Sequence, residues 1–324
     1  MTLEKLKNYL ENLPTETVVT GHPAPDTDAV ISALFEAYRL TASGVPAAPL
    51  LQGVLPRETA GLLGGLAALL PVGDVPQTAT ALVLTDHHDV GAYTHPVTAI
   101  VDHHPVGTST DLGGIETEIA PVGAATTLVV NRLRRDGLVP DAACARMLLG
   151  AVVLDAEGLS SRKAKAEDLE VAAWLSAICG ENPVDLFVAL QAELLSETDV
   201  TTLYYRDYRR YTDSAGTLRL GWAILKVWAA DCPDLDAVRE LLAQDDAPTR
   251  VAKIVLNNPQ DAGRTEYYLA DGTEAEAFLT LVESLGGETA CRVAPNTVFL
   301  PETASHWGRK RYIALLEEIW YKKS

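Results

Sequence analysis

Thr17-Val18-Val19-Thr20-Gly21-His22-Pro23-Ala24-Pro25-Asp26-Thr27-Asp28 joins a short β-branched run to a His/Asp cluster, and its reading decides the fold. The run ends at Gly21, and from Asp28 to Tyr38 apolar residues return at helical spacing, at Val30, Leu34 and Tyr38. The cluster therefore lies on a strand-to-helix loop. The pattern recurs twice: Ala81-Leu82-Val83-Leu84 runs into Asp86-His87-His88-Asp89, and Val97-Thr98-Ala99-Ile100-Val101 runs into Asp102-His103-His104. Short continuous apolar runs predict fully buried parallel strands. Residues at the carboxyl ends of such strands converge in the crevice where α/β proteins bind their substrates.

Downstream, Pro121-Val122-Gly123-Ala124-Ala125-Thr126-Thr127 introduces a helix running to Arg134, and a second apolar helix spans Ala142 to Val153 and delivers Asp155 at its end. Helices fill Glu167 to Leu190, and the polar segment Leu194-Leu195-Ser196-Glu197-Thr198-Asp199 interrupts the pattern. Beyond it, Leu218–Val227, Val251–Asn257 and Glu266–Ala270 read as strands, and Leu235–Leu242, Glu274–Leu285 and Arg311–Trp320 as helices. The expected architecture is α/β: a domain over residues 1–193 with a mainly parallel sheet, and a smaller mixed α/β domain over 194–324.

A chain of 324 residues with 48% hydrophobic and 22% charged residues has the composition of an ordinary globular protein, without an apolar run long enough to span a bilayer. Met1–Leu6 opens a charged amphipathic helix that lacks the apolar core of a signal peptide, so a cytoplasmic protein is expected. The four cysteines, Cys144, Cys179, Cys232 and Cys291, are scattered without Cys-x-x-Cys spacing and read as free thiols. A formal net charge of −18 argues against nucleic acid as the main partner, because that binding is driven by cations neutralising phosphates. A small phosphate substrate stays compatible, given a local positive site.

Five of the seven histidines sit beside aspartates in the three clusters, which is a metal-ligand composition. Imidazole nitrogen and carboxylate oxygen suit divalent ions such as manganese, magnesium or cobalt, and converging carboxylates repel one another unless cations neutralise them. A two-metal hydrolase site, with ions ~3.5–4 Å apart, activates water and stabilises charge on a phosphoryl group. His22, Asp26, Asp28, Asp86, His103 and Asp155 supply such a ligand set if one carboxylate bridges.

At these residues the chain resembles the DHH phosphoesterases, and among them the branch with a DHHA2 C-terminal domain. That branch comprises the manganese-dependent family II inorganic pyrophosphatases and the exopolyphosphatase/prune-type enzymes. Gly21–Ala29 resembles the first motif, Thr85-Asp86-His87 the second, Val101-Asp102-His103-His104 the motif that names the family, Gly123–Thr127 the following helix start, and Leu149–Asp155 the fourth. Leu203–Tyr208 is similar to a motif of the polyphosphatase/prune branch, and Gly308-Arg309-Lys310 sits where the family carries Ser-Arg-Lys.

The resemblance implies two divalent ions, manganese with magnesium or cobalt as alternatives. His22 and Asp26 would hold one, Asp28, His103 and Asp155 the other, and Asp86 would bridge them. Asp102 would orient the His pair from behind, His104 would face the substrate, and Arg309 and Lys310 would clamp it, in an active site between the two domains. The implied reaction is hydrolysis of pyrophosphate or short polyphosphate, and a homodimer is a possible assembly.

Three departures accompany the match. Ala24 replaces the usual Asn, Ser196-Glu197-Thr198-Asp199 lies where pyrophosphatases carry a phosphate-binding lysine, and the stretch after Asp155 is closer to the prune branch. Lys163, Lys165, Arg206 and Arg209 are the candidates to replace that lysine. Two other functions compete: a DHH phosphodiesterase of short nucleotides, whose glycine-rich C-terminal motif is not found here, and a catalytically silent prune-like interaction protein. His88 reads as loop surface, His95 as a turn residue and His306 as loop decoration, while Tyr204, Tyr208 and Tyr211 have helical spacing.

Overall fold

The computed structural model describes residues 1–14, 16–106, 112–159, 163–213, 216–257 and 264–323, with the side chains of residues 310 and 319–323 outside the description. Two compact units emerge, Met1–Leu194 and Leu195–Ser324. Among the described residues, no helix is long and apolar enough to cross a membrane.

The first unit runs α1 (Leu3–Leu10), β1 (Thr17–Thr20), α2 (Thr27–Ala42), β2 (Ala47–Leu50), α3 (Arg57–Leu63), β3 (Ala81–Thr85), β4 (Val97–Asp102), β5 (Glu116–Ile119), α4 (Ala125–Arg135), α5 (Ala142–Asp155), α6 (Ala166–Cys179) and α7 (Pro183–Leu194). Its sheet has the order β2-β1-β3-β4-β5 and every pairing is parallel, as the continuous apolar runs require. Ile31, Leu34 and Phe35 of α2 pack with Leu128 and Val129 of α4 and with Leu148, Leu149 and Val152 of α5 in one core. Each such buried side chain contributes ~1.5–3 kcal/mol of transfer free energy. That core fixes the helix starts, and with them the loops at the strand ends.

The second unit runs α8 (Val200–Arg206), β6 (Tyr208–Thr212), β7 (Leu218–Trp228), α9 (Leu235–Gln244), β8 (Thr249–Asn257), β9 (Arg264–Gly272), α10 (Ala275–Gly286), β10 (Cys291–Ala294), β11 (Thr297–Leu300) and α11 (Arg309–Lys323). Its sheet, β10-β11-β9-β8-β7-β6, is mixed: β7 and β8 are parallel and the other pairs antiparallel. Two separate cores form, one around Trp222, Tyr268, Phe278 and Tyr312 and one around Leu225, Val238, Ile254 and Leu269.

The helical spacing of Tyr204, Tyr208 and Tyr211 does not carry through. The helix ends at Arg206, and Tyr208–Thr212 is an edge strand antiparallel to β7. The Tyr204 and Tyr208 rings still stack, with centroids 5.8 Å apart, so the apolar pattern serves packing across a helix-to-strand turn.

Candidate metal centre

β1 and β3 are neighbours in the sheet although β2 lies between them in sequence, so the chain departs from these two strands in opposite directions. Such a reversal opens a crevice at the strands' carboxyl ends. His22 follows β1, Asp86 follows β3, and Asp102 closes β4 with His103 and His104 directly after it. A Cβ at Gly21 would lie 2.6 Å from both the Cβ and the carbonyl oxygen of Ala29. Glycine there lets the loop lie on the first turn of α2.

Asp26 caps α2, its Oδ1 accepting from the Ala29 amide at 3.0 Å. Two residues later, Asp28 is buried and accepts from the amides of Ala125 and Thr126, at 2.6 and 2.9 Å, where α4 begins. Asp86 adopts a left-handed backbone, φ 60°, while its amide donates to the Val101 carbonyl at 2.9 Å. Left-handed backbone is uncommon for a residue with a side chain and collects at functional sites. Asp155 is the last residue of α5.

The six side chains expected as ligands come together. His22 Nε2 is 3.8 Å from Asp26 Oδ2 and 3.4 Å from Asp86 Oδ2. His103 Nε2 is 3.1 Å from Asp86 Oδ1 and 3.4 Å from Asp155 Oδ2. Potential ligand atoms of His22, Asp26 and Asp86 lie within 4.8 Å of one another, as do those of Asp28, His103 and Asp155. His103 Nδ1 lies 3.1 Å from the Val122 carbonyl, an arrangement that puts the proton on Nδ1 and turns Nε2 towards the carboxylates.

The electrostatics are those of a site short of positive charge. Burial alone would lower the pKa of His22, but Asp26 and Asp86 outweigh it and raise it well above the ordinary value. Burial likewise opposes protonation of His103, yet Asp86, Asp155 and Asp28 push it up to about 10. Asp28 is raised well above the usual carboxylate range, first by burial and then by the charges of Asp86 and Asp155. Asp86 Oδ1 and Asp155 Oδ2 are buried without a hydrogen-bond partner. Unsatisfied buried oxygens beside oriented imidazole nitrogens are the donor set a divalent ion completes, so the residues present fit two such ions.

Behind these side chains, Asp102 is fully buried. Its Oδ1 accepts from the amides of His103 and His104, at 2.7 and 3.1 Å, and pairs with His104 Nδ1 at 2.9 Å. Its Oδ2 pairs with His88 Nδ1. His88 is thus a partner of the centre's support and not the surface residue that its sequence context suggests. The signal was its place two residues after Asp86, a register that sequence alone leaves open to loop surface. His104 also lies 3.7 Å from Asp86 Oδ1. His87 is braced by Tyr93, at 3.0 Å, and Tyr93 by Gln52, at 2.9 Å. Lys163 pairs with Asp155 Oδ1 at 2.6 Å.

In the second unit, Arg309 is nearly buried at the start of α11, its guanidinium donating to the carbonyl and carboxylate of Asp207 at 2.9 and 2.8 Å and lying over the Trp222 ring. The side chain of Lys310 lies outside the described residues. His306 is mostly buried, its Nδ1 3.2 Å from Glu266, because Lys253 holds the next carbonyl, of Trp307, at 3.1 Å. It is a packed residue of that loop and not a decoration.

No protein-family model matches the chain. It is 28% identical over 217 residues to a protein of Deinococcus radiodurans named as a probable manganese-dependent inorganic pyrophosphatase, a match covering 64% of this chain and 68% of the relative. It is 26% identical over 232 residues to a manganese-dependent inorganic pyrophosphatase of Methanothrix thermoacetophila, covering 68% and 73%. The fold is similar to the crystal structure of a Methanococcus jannaschii protein assigned to the family II inorganic pyrophosphatases, with a TM-score of 0.69 at 20% identity, over 94% of this chain and 99% of that one.

Proposed function

Because this chain is a relative of the family II, manganese-dependent inorganic pyrophosphatases, within the DHH phosphoesterases, we propose that it is a metal-dependent phosphoanhydride hydrolase acting on pyrophosphate or short-chain polyphosphate. The observation that carries the reading is the pair of donor sets, His22/Asp26/Asp86 and Asp28/His103/Asp155, meeting at the ends of parallel strands around orphaned carboxylate oxygens. We assign these six residues as ligands, with Asp86 between the two positions. When bound, two divalent ions supply the positive field that makes water nucleophilic at neutral pH and neutralises charge on the transferring phosphoryl group.

The chain's own groups do the rest. Asp102 holds His104 through Nδ1, which leaves Nε2 to hydrogen-bond a phosphate oxygen or the leaving group. Arg309 and Lys310 are proposed to bind the anion, and for Arg309 this means exchanging Asp207 for phosphate. Residues 1–193 would then be the catalytic domain and 194–324 the substrate-binding one. A cytoplasmic location belongs to the same proposal, as does a small phosphate as partner in place of nucleic acid, the latter resting on the net charge of −18. A homodimer is compatible with the reading, and sedimentation would test it.

Phosphate release from pyrophosphate, tripolyphosphate and a dinucleotide, each with manganese, magnesium or cobalt, is the test. Release from the first two is expected. Release from the dinucleotide alone would mark a phosphodiesterase, and none from any would mark a silent interaction protein.

A further inference from the structure

Asp155 serves two masters. Its Oδ1 is 2.6 Å from the ammonium of Lys163, while its Oδ2, buried and without a hydrogen-bond partner, faces His103 Nε2 at 3.4 Å within the Asp28/His103/Asp155 set. Lys163 keeps about a third of its side chain exposed, 36%, so its charge is only partly screened by water. We propose that Lys163 is a tethered counter-ion of Asp155 that competes with the second metal position: it shares Asp155 with the divalent ion, weakens binding there relative to the His22/Asp26/Asp86 position, and leaves the loaded centre one positive charge richer towards an anionic substrate.

The inference rests on the two-metal reading above and adds an asymmetry to it. The four ligand carboxylates, Asp26, Asp28, Asp86 and Asp155, balance two divalent ions when the imidazoles are neutral, and Lys163 adds one positive charge on the Asp155 side, as the buried Asp102 adds one negative charge behind the histidines. A hydrogen bond to the non-ligating oxygen could instead orient Asp155 and strengthen binding, an effect typically worth ~10–100-fold when lost. Repulsion between an ammonium and a divalent ion on opposite oxygens of one carboxylate, at an effective dielectric of about 20, is the larger effect. It acts only when the ion is present, which is why it lowers affinity without disturbing the fold.

The experiment titrates metal-free, full-length wild-type protein, Lys163→Met and Lys163→Arg with Mn2+ by calorimetry, then titrates the loaded proteins with inorganic phosphate. Wild type and Lys163→Arg are expected to bind two ions unequally. In Lys163→Met the weaker ion should tighten by about tenfold or more, the stronger should hold its affinity, and phosphate should bind more weakly. Unchanged or weaker Mn2+ binding in Lys163→Met, with the circular dichroism of wild type, overturns the proposal while the two-metal reading stands. Wild type that takes up no Mn2+ overturns both.

Discussion

Each unit buries a carboxylate at its heart, and the two are treated in opposite ways. Glu266 of the mixed-sheet unit is fully buried, with Lys253 Nζ at 2.8 Å, Arg264 Nε at 3.2 Å, His306 Nδ1 at 3.2 Å and the Tyr268 hydroxyl at 2.9 Å. Asp86 of the parallel-sheet unit is as deeply buried, but its neighbours are imidazoles, at 3.1, 3.4 and 3.7 Å, and other carboxylates. A buried acid is therefore no sign of metal by itself. What distinguishes the centre is that Asp86 meets imidazoles outnumbered by carboxylates, where Glu266 meets a lysine and an arginine as well.

The comparison breaks most visibly under truncation. Asp86→Ala should abolish the rise in Tm that Mn2+ gives the wild-type protein and reduce phosphate release by more than the ~10–100-fold typical of losing an outer partner. Circular dichroism should report a folded chain. Glu266→Ala should do the reverse: it strands Lys253 and costs ~3–5 kcal/mol of stability, while Mn2+ still raises Tm. A metal response that survives in the first variant, or vanishes in the second, would erase the distinction.

Titration sharpens it further, because the two units bend the pH profile in opposite senses. His103 in metal-free protein is raised to about 10 from 6.5, so its contribution to stability is complete below 6.5 and is lost as pH climbs through 10. Lys253 is pushed down by burial to about 8 from 10.5, against the pull of Glu266. Between those values the unfolded chain holds the proton more tightly, so this unit gains stability as pH rises from 8 towards 10.5. Denaturant unfolding of metal-free wild type, His103→Gln and Lys253→Met across pH 6–11 should show the falling component, which His22 shares, reduced in the first variant and the rising one missing from the second. Identical pH profiles for all three would sink the assignment of either component.

The candidate centre is legible because all of its proposed ligands but Asp155 follow strands that announce themselves. Val18-Val19, Leu82-Val83-Leu84 and Ile100-Val101 are buried, and their runs stop where the chemistry starts. β2, Ala47-Ala48-Pro49-Leu50, is equally buried but built from weak strand formers, with a proline that suits only an edge. β5, Glu116-Thr117-Glu118-Ile119, is an exposed edge whose charges mask its pairing. The short β10 and β11 escaped notice for want of length. His88 on Asp102 and Lys163 on Asp155 were hidden for another reason: each reaches from a loop to the end residue of a strand or helix, and spacing along the chain does not report distance across it.

Strain separates the units as well, and gives the smallest effect. Among the described residues, the non-glycine positions with positive φ are Ala24, Asp86, Glu157 and Leu159, all in the first unit and all within a few residues of a proposed ligand. At Ala24, φ 58°, a residue with a β-carbon and no compensating polar group sits in left-handed backbone, at a cost of ~1–2 kcal/mol relative to glycine's freedom there. Glycine would remove the clash but widen the unfolded ensemble, whereas Asn tolerates the conformation and keeps its side chain. Ala24→Asn should therefore raise the unfolding free energy of metal-free protein by ~0.5 kcal/mol, Ala24→Gly by no more than that, and Ala24→Val should lower it. Stability that rises with Val, or falls with Asn, would mean that this loop is not held left-handed in solution, and the strain would then belong to Asp86 and the turn after Asp155 alone.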